Sequence, residues 1–540
     1  MTSLMMGAAM IALATAAPVD GDKMLGAAYD ADGPGAAALV VDDGETLYAG
    51  AVGMADIAGG RALGPDTAFR YASISKQFAA AMIVHLVEEG RLSYDDQLVD
   101  LLPGMPEAWR GVTLHHLLNH TSGIKSYTSI PAIMAGTGGI GSVTTAELVD
   151  MFDDYPLDFQ PGTRWEYNNS GYVLLGAIIE EVTGKPWHVA IDEALLAPNG
   201  ITDVYYLDDE TSLPVMARGY TGGTDTLAQS IHMSLPHAAG GLAGTLEGLR
   251  AWTMALHGGK IVSPESLARM TAPTRLYSGD TQPYGYGLML EQVRGRDMIG
   301  HGGGIFGFST FVYYVPEDGL FAAVMANSDG LELTPQMAAL KLGAMALGDP
   351  YPELVPVAAA DAIEAGWEGR YEFADGTIRD FYRDGDTLYM RREGSQPLEV
   401  VGDGEGRFFY ERSMTYFRIA DAGDGAVAHF HSDGSTKGVE GRRIGDAART
   451  AYVTLEPAQA ERLMGDYAFE IGTIAFAQAA DGTMTALLEG QRPEPVRATG
   501  PAQLVAPGVG ATFDFEMAGG QAIAVTLRQG GAELRGERID

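Results

Sequence analysis

A serine and a lysine three residues apart, Ser73 and Lys76, stand at the head of the apolar run "FAAAMIVHLVEEGRL". The run has the spacing of a mostly buried helix, so Lys76 would carry its charge toward a core, where a charge needs a reason. On a helix, residue i+3 lies on the same face one turn away, and a serine at the N-terminus meets free backbone N–H groups and the positive end of the dipole. A serine hydroxyl is a weak nucleophile until a base takes its proton. A lysine can be that base only if burial lowers its pKa toward neutrality. The pair therefore has the elements of an acyl-transfer centre. Taken alone, the same spacing also fits a helix-capping serine followed by a lysine that snorkels to solvent.

Other chemistries find less support. The absence of cysteine excludes disulfides, thiolate metal sites, a cysteine nucleophile and a lipidated N-terminal cysteine. No Gly-x-Ser-x-Gly elbow, phosphate loop or dinucleotide fingerprint occurs. His116 and His120 are spaced i, i+4 but lack the glutamate of a zinc-peptidase helix, so neither a metal nor any other cofactor is expected. A formal charge of −36 argues against a nucleic-acid or anionic-lipid partner. No stretch reaches the roughly 18 apolar residues of a membrane span, so stable insertion is not expected.

The elements that must position the pair can be read on either side of it. "AALVVDDGETLYAGAVGMADI" at 37–57 predicts two strands with a turn at Asp42, Asp43 and Gly44. "SGYVLLGAIIEEVTGKPW" at 170–187 predicts a helix stopped by Gly184 and Pro186. "GFSTFVYYVPEDGLFAAVMANS" at 307–328 predicts a hairpin, followed by a helix over "TPQMAALKLGAMALG". Strands at both ends with helices between imply a mixed sheet assembled from distant segments, plus a helical lobe. "DPYPELVPVAAADA" at 349–362 has the composition of a linker. Beyond it "GRYEF" at 369–373 recurs as "GDYAF" at 465–469, and the "GTI" at 376–378 recurs at 472–474, both at an offset of 96. Two related all-β modules are expected there, with Tyr371, Phe373, Tyr467 and Phe469 as barrel core.

Two further stretches add chemistry-bearing residues. "RWEYNNSGY" holds Tyr167 and Asn169 just before the 170–187 helix, and "MIGHGGGIFGFSTF" holds His301, Gly302 and Gly303 just before a strand. Ser73-x-x-Lys76, Tyr167-x-Asn169 and His301-Gly302-Gly303, in that order, resemble the three motifs of the penicillin-recognising serine hydrolases, in the version of class C β-lactamases, family VIII esterases and serine D-aminopeptidases. "LHHLLNHTSGI" at 114–124, "PGTRWEYNNSGY" at 161–172, "AAGGLAGTLEGLRAW" at 238–252 and "YGYGLML" at 284–290 extend the resemblance over about residues 26–350.

The resemblance implies an α+β fold. A β-lactamase/transpeptidase-like catalytic domain, an antiparallel sheet flanked by helices with a helical lobe, would be followed by two antiparallel β-barrel, lipocalin-like domains. The expected boundaries are 17–350 for the first and 356–448 and 452–540 for the barrels. Ser73 would form an acyl-enzyme, with Lys76 and Tyr167 sharing the proton work and the Tyr167 phenolate stabilised by the lysine charge. Asn169 would hydrogen-bond Lys76 and the substrate amide. Ser73 and Gly304 N–H groups would form the oxyanion hole, about 3 kcal/mol per donor. His301, Gly302 and Gly303 would support the substrate. Class C β-lactamases carry lysine where this chain has His301, which would weaken carboxylate recognition and favour peptides or esters over β-lactams. In the D-aminopeptidases a barrel loop reaches the cleft, and "APGVGATFD" at 506–514 is a candidate for it.

Three functions compete on sequence alone: a serine peptidase of short peptides, a carboxylesterase or β-lactamase, and a non-catalytic penicillin-binding sensor. Residues 1–16, with an apolar run from Leu4 and a small-residue "ATA" at 14–16, read as a secretory signal without the usual basic start. A periplasmic or secreted enzyme with a small peptide substrate is the expectation; the sequence sets no oligomeric state.

Overall fold

A computed structural model describes the chain except residues 1–18, 137–140, 207–212, 214, 359–366, 411–412, 421–425, 433–436, 450, 470, 480–481, 489–492, 531 and 540. The leader at 1–16 lies outside the described residues. The chain divides into two compact units, Met1–Tyr351 and Pro352–Asp540.

In the first unit β1 (Ala36–Asp42) and β2 (Glu45–Val52) form the first hairpin, its tight turn held by Asp43 and Gly44 at positive φ. Then come α1 (Ser75–Glu88), α2 (Leu114–Leu118), α3 (Asn169–Thr183), α4 (His237–Gly240) and α5 (Leu246–His257). The remaining strands are β3 (Met289–Val293), β4 (Arg296–Ile305), β5 (Phe308–Val315) and β6 (Leu320–Ala326), closed by α6 (Pro335–Ala346). The sheet order is β3-β4-β5-β6-β1-β2. Ala36 opposes Ala326 and Asp42 opposes Leu320, so the N-terminal hairpin joins the C-terminal one antiparallel. Every other pairing in this sheet is also antiparallel, which corrects the mixed sheet read from strand spacing. Alternation reports burial on a strand face, and strand direction is decided by which way the returning chain enters the sheet.

The central strands β1 and β6 are buried along nearly their whole length because helices cover the sheet, so their sequences run apolar instead of alternating. Helix α1 is buried on all sides, from Ser75 through Val84, which explains why its sequence has apolar residues around the whole circumference. Phe78 stacks on Trp252 of α5 at 3.9 Å, and the Trp252 indole N–H donates to Gln77 at 2.9 Å. At about 1.5–3 kcal/mol for each fully buried large apolar side chain, this helix is pinned in place far more firmly than its own propensity would hold it.

The second unit holds two closed eight-stranded antiparallel barrels. The first runs from β7 (Gly369–Phe373) to β14 (Val439–Gly445), and the second from β15 (Gly465–Phe469) to β22 (Ala532–Arg538). Closure pairs the first strand of each with its last, removing the exposed edges. Tyr371, Phe373, Tyr467 and Phe469 are core residues, as their strand spacing predicts. The turn within 506–514 packs on the first barrel: a Cβ at Gly510 would stand 2.9 Å from Leu398.

Candidate active site

The polypeptide reaches Ser73 through a constrained turn. Ala72 has φ +48°, a left-handed conformation that costs a non-glycine residue about 1–2 kcal/mol. Residues Ala72–Ile74 form a 3-10 turn, and the α-helix proper begins at Ser75, two residues later than a helix-start serine requires. The surroundings hold this turn. Tyr71 N–H donates to Leu242 O at 2.8 Å, the Tyr71 hydroxyl donates to Thr245 O at 2.7 Å, and Leu242 N–H donates to the Ser75 hydroxyl oxygen at 3.0 Å. Backbone strain fixed from several sides beside a nucleophile is characteristic of catalytic sites.

Lys76 is fully buried. Its Nζ lies 2.8 Å from Asn169 Oδ1, 2.8 Å from the Ala239 carbonyl oxygen and 3.1 Å from Ser73 Oγ. The amide and carbonyl oxygens can only accept, so they take two N–H bonds. The third direction points at Ser73, where an ammonium would donate N–H and an amine would accept the serine proton. Burial drives the Lys76 pKa well below its ordinary value, which favours the amine.

Tyr167 directly precedes the N-cap of α3. Asn168 caps that helix, its Oδ1 accepting from Gly171 N–H at 2.8 Å, and its own N–H donates to His120 Nδ1 at 3.1 Å. The Tyr167 ring lies 4.7 Å from Lys76 Nζ and its hydroxyl is buried, with no hydrogen bond at ordinary distance. Burial pushes the phenol upward, and the nearby Ser73 hydroxyl pulls weakly the other way. Burial penalises each charge separately, so it favours amine plus phenol over the expected lysine-stabilised phenolate, which holds the same number of protons.

Asn169 is oriented by neighbours that its own motif does not contain. Its Nδ2 donates to Thr128 Oγ1 at 2.9 Å and its backbone N–H to Ser126 Oγ at 3.2 Å. Sequence reasoning missed both; the signal was the adjoining "HTSGI", which it used only as a supporting phrase. It weighed His120 only as a metal ligand, whereas this is a buried histidine at φ +63° whose ring centroid stands 4.5 Å from that of Tyr167 and 4.8 Å from that of Tyr284. Because His120 Nδ1 accepts from Asn168, its proton sits on Nε2. Burial, the largest cause, keeps the ring neutral.

His301 is 3% exposed and does not border the cavity at Ser73. Its Nδ1 donates to Gly302 O at 2.5 Å, and its Nε2 lies 2.9 Å from the Tyr284 hydroxyl, from which it accepts. Burial, the largest cause, brings its pKa down to about 3, so it is neutral across the physiological range. The glycines that follow differ from one another. A Cβ on Gly303 would lie 2.3 Å from Tyr71 O and 2.4 Å from Thr310 Oγ1, so packing against the serine turn forbids a side chain there. At Gly302 the nearest atom would be Phe311 at an ordinary 3.4 Å, and at Gly304 there is open space.

Strand β3 pairs with β4 only as far as Gly300, which leaves 301–305 as an edge. Ile305 and Phe308 flank the two-residue turn and form the bonded pair, so the next residue, Gly304, turns its N–H away from β5 toward that edge. Gly304 and Ser73 border one cavity of about 260 Å³, walled otherwise by Asn169, Ala239, Gly240, Tyr127, Thr128 and the apolar Met134, Ile231, Leu235, Pro236, Ile305 and Phe306. His116 and His120 do not form a metal pair: His120 lies beyond the end of α2, and among the described residues no group of three or more His, Asp or Glu is placed to hold a metal ion. Among them, too, no helix is long and apolar enough to cross a membrane.

The family model described as Beta-lactamase matches residues 22–344. Penicillin-binding protein 4* of Bacillus subtilis is 29% identical over 426 residues, covering 74% of this chain and 92% of that protein. The D-aminopeptidase of Brucella anthropi is 27% identical over 428 residues, 77% of each chain. Among solved structures, the D-amino acid amidase from Ochrobactrum anthropi SV3, complexed with L-phenylalanine amide, is similar with a TM-score of 0.52 at 25% identity, over 61% of this chain and 96% of that one.

Proposed function

The chain belongs to the Beta-lactamase family and is a serine hydrolase; from that premise we propose that it cleaves amide bonds of linear oligopeptides through an acyl-enzyme on Ser73. One observation carries the reading: a fully buried Lys76 whose two N–H bonds are taken by acceptor-only oxygens and whose remaining direction is aimed at Ser73 Oγ. The amine takes the Ser73 proton as Oγ attacks the carbonyl carbon. The carbonyl oxygen gains charge between the N–H groups of Ser73 and Gly304, each worth about 3 kcal/mol in such a role. Tyr167, held as a phenol, gives its proton to the departing amine and is reprotonated by the Lys76 ammonium, which restores the amine. A water molecule then repeats the sequence on the ester, with Ser73 as leaving group.

Amide hydrolysis needs the leaving nitrogen protonated, and a buried phenol is suited to that step. The apolar cavity wall favours an apolar side chain beside the cleaved bond. Neutral His301 supplies no cation where class C β-lactamases have lysine, so β-lactams are poorer substrates in this reading. The motifs followed by two barrels are also similar to the linearised-microcystin peptidase. An opened microcystin, cut at an internal amide while the intact ring resists, is the finer substrate proposed. Export through the 1–16 leader would place the enzyme in the periplasm or outside the cell, which N-terminal sequencing of the mature protein tests.

The function is tested by labelling Ser73 with a fluorophosphonate, read as a mass shift, and by comparing kcat/KM for a linear peptide, its cyclic form, nitrocefin and p-nitrophenyl acetate. Linear peptides are expected to lead. Faster hydrolysis of nitrocefin than of every peptide overturns the reading, as does an unlabelled Ser73.

A further inference from the structure

The Tyr167 hydroxyl has no hydrogen bond at ordinary distance, so nothing at its tip sets where it stands beside Ser73. Its position has to come from the faces of the ring and from the backbone that carries it. Both lead to His120. The His120 ring centroid stands 4.5 Å from that of Tyr167, nearer than His301 at 6.0 Å or Tyr284 at 6.3 Å. On the backbone, Glu166 N–H donates to the His120 carbonyl oxygen at 3.0 Å and Asn168 N–H donates to His120 Nδ1 at 3.1 Å. One residue thus takes the N–H groups of both neighbours of Tyr167. The adjoining segment continues the grip, with Gly162 N–H donating to Thr121 O at 2.9 Å and Asp158 N–H to Gly123 O at 2.7 Å.

His120 holds this place at a cost. Its φ of +63° disfavours any residue with a Cβ, and among the described residues its buried Nε2–H finds no acceptor. A leucine would fill the space beside Tyr167, Tyr172 and Tyr284 without stranding a donor, but it would offer Asn168 no acceptor. The imidazole is the choice that both packs on the phenol and ties down the backbone carrying it. We propose that His120 is a positioning residue for the reaction, holding the Tyr167 hydroxyl in line to protonate the departing amine. The inference rests on the amidohydrolase reading above, in which Tyr167 supplies that proton. His120 does not border the cavity at Ser73 and acts through Tyr167 alone. Displacing a reacting group by about 1 Å can cost about a hundredfold in rate, which sets the size of the effect.

The test uses the full chain, a linear oligopeptide with one internal phenylalanine, and p-nitrophenyl acetate, whose leaving group needs no proton. His120→Gly removes the imidazole, adopts the same φ without strain and keeps the carbonyl that Glu166 uses. It is expected to lower kcat for the peptide about a hundredfold with KM within about threefold, while the burst of p-nitrophenolate that reports acylation slows by less than about fivefold. His120→Asn tolerates a left-handed backbone and returns an acceptor oxygen, so it should recover peptide kcat to within about tenfold of the unsubstituted enzyme. The cycle with Tyr167→Phe decides between positioning and general support of the fold. Once the hydroxyl is gone, adding His120→Gly should lower kcat by no more than about twofold. His120→Phe keeps a ring and removes Nδ1, and it carries the same cycle if thermal melting shows the glycine variant unfolded. A loss as large in the Tyr167→Phe background as in the unsubstituted enzyme overturns the proposal. So does equal slowing of ester acylation and peptide cleavage, or an unchanged peptide kcat in the folded variant. Any of these results, with Tyr167→Phe itself impaired, removes this inference alone. Full peptide turnover by Tyr167→Phe removes the acid role of that tyrosine, and no cleavage of any peptide by the unsubstituted enzyme removes the amidohydrolase reading; either result takes this inference with it.

Discussion

Tyrosines at the start of the two barrels and the tyrosine of the candidate site handle their hydroxyl groups in opposite ways. Tyr371 donates to the Trp367 carbonyl at 2.9 Å and Tyr467 to the Leu463 carbonyl at 2.9 Å, the same four-residue return made twice. Tyr167 has a buried hydroxyl with no such partner. A buried donor left unpaired costs about 1–3 kcal/mol, so a position where it persists is one where a neighbour needs it. Lack of a partner is not sufficient. Tyr382 in the first barrel also has an unpaired buried hydroxyl, but its ring neighbours are Tyr389 and Arg449, whereas Tyr167 stands beside Ser73 and Lys76. In the proposed mechanism it is this neighbourhood that makes an unsatisfied phenol a proton donor.

The largest effect expected is from Ser73→Ala, which removes the nucleophile and should lower peptide turnover by roughly a thousandfold or more, with Lys76→Ala falling to nearly the same floor because the two act as a unit. The urea midpoint of Ser73→Ala should move little. Substantial residual turnover would place the chemistry elsewhere. Tyr167→Phe draws the contrast most directly. It should cut kcat by about 10²–10⁴, while thermal stability holds or rises, since an unpaired buried hydroxyl is deleted. Tyr371→Phe and Tyr467→Phe should do the reverse, each losing about 1 kcal/mol of stability for a lost hydrogen bond with kcat unchanged. If all three tyrosines behave alike in melting and kinetic assays, the comparison fails.

The acid limb of the pH–rate profile sharpens it further. In the proposed mechanism Lys76 acts as the amine, and its pKa is lowered, so kcat/KM should rise as pH climbs through that depressed value, and activity should already be present well below the ordinary lysine range. Onset only near the ordinary lysine pKa would mean that burial does not hold Lys76 as an amine at neutral pH. The smallest effect concerns His301. With a pKa of about 3 it should stay neutral from pH 5 to 8, and its ring resonances should not shift over that range. A titration near 6.5 would mean that the ring is solvated and free to meet substrate.

Much of the molecule was legible from short spacings. Ser73 and Lys76 lie within one turn and Tyr167 and Asn169 within three residues, so local geometry nearly fixes each pair. The hairpins, the helix stop at Gly184 and the repeat at an offset of 96 are likewise local patterns. The misses share a cause. Thr128, His120, Tyr284 and the Ala239 carbonyl act across gaps of tens to more than a hundred residues.

The amino-acid sequence by itself determined which groups could do chemistry, the order in which they occur and the periodicities that make strands, helices and two barrels, because these depend on side-chain type and on neighbours a few residues away. Tertiary structure decided the direction of the central strands, the left-handed turn at Ala72, the unpaired hydroxyl of Tyr167 and the burial that lowers the pKa values of Lys76 and His301. Each of these depends on burial and on partners brought from distant segments: a lysine that would be an ordinary cation in water has its pKa lowered only where the packed core excludes water, and the contact left to it there is the one with Ser73 that the proposed mechanism uses.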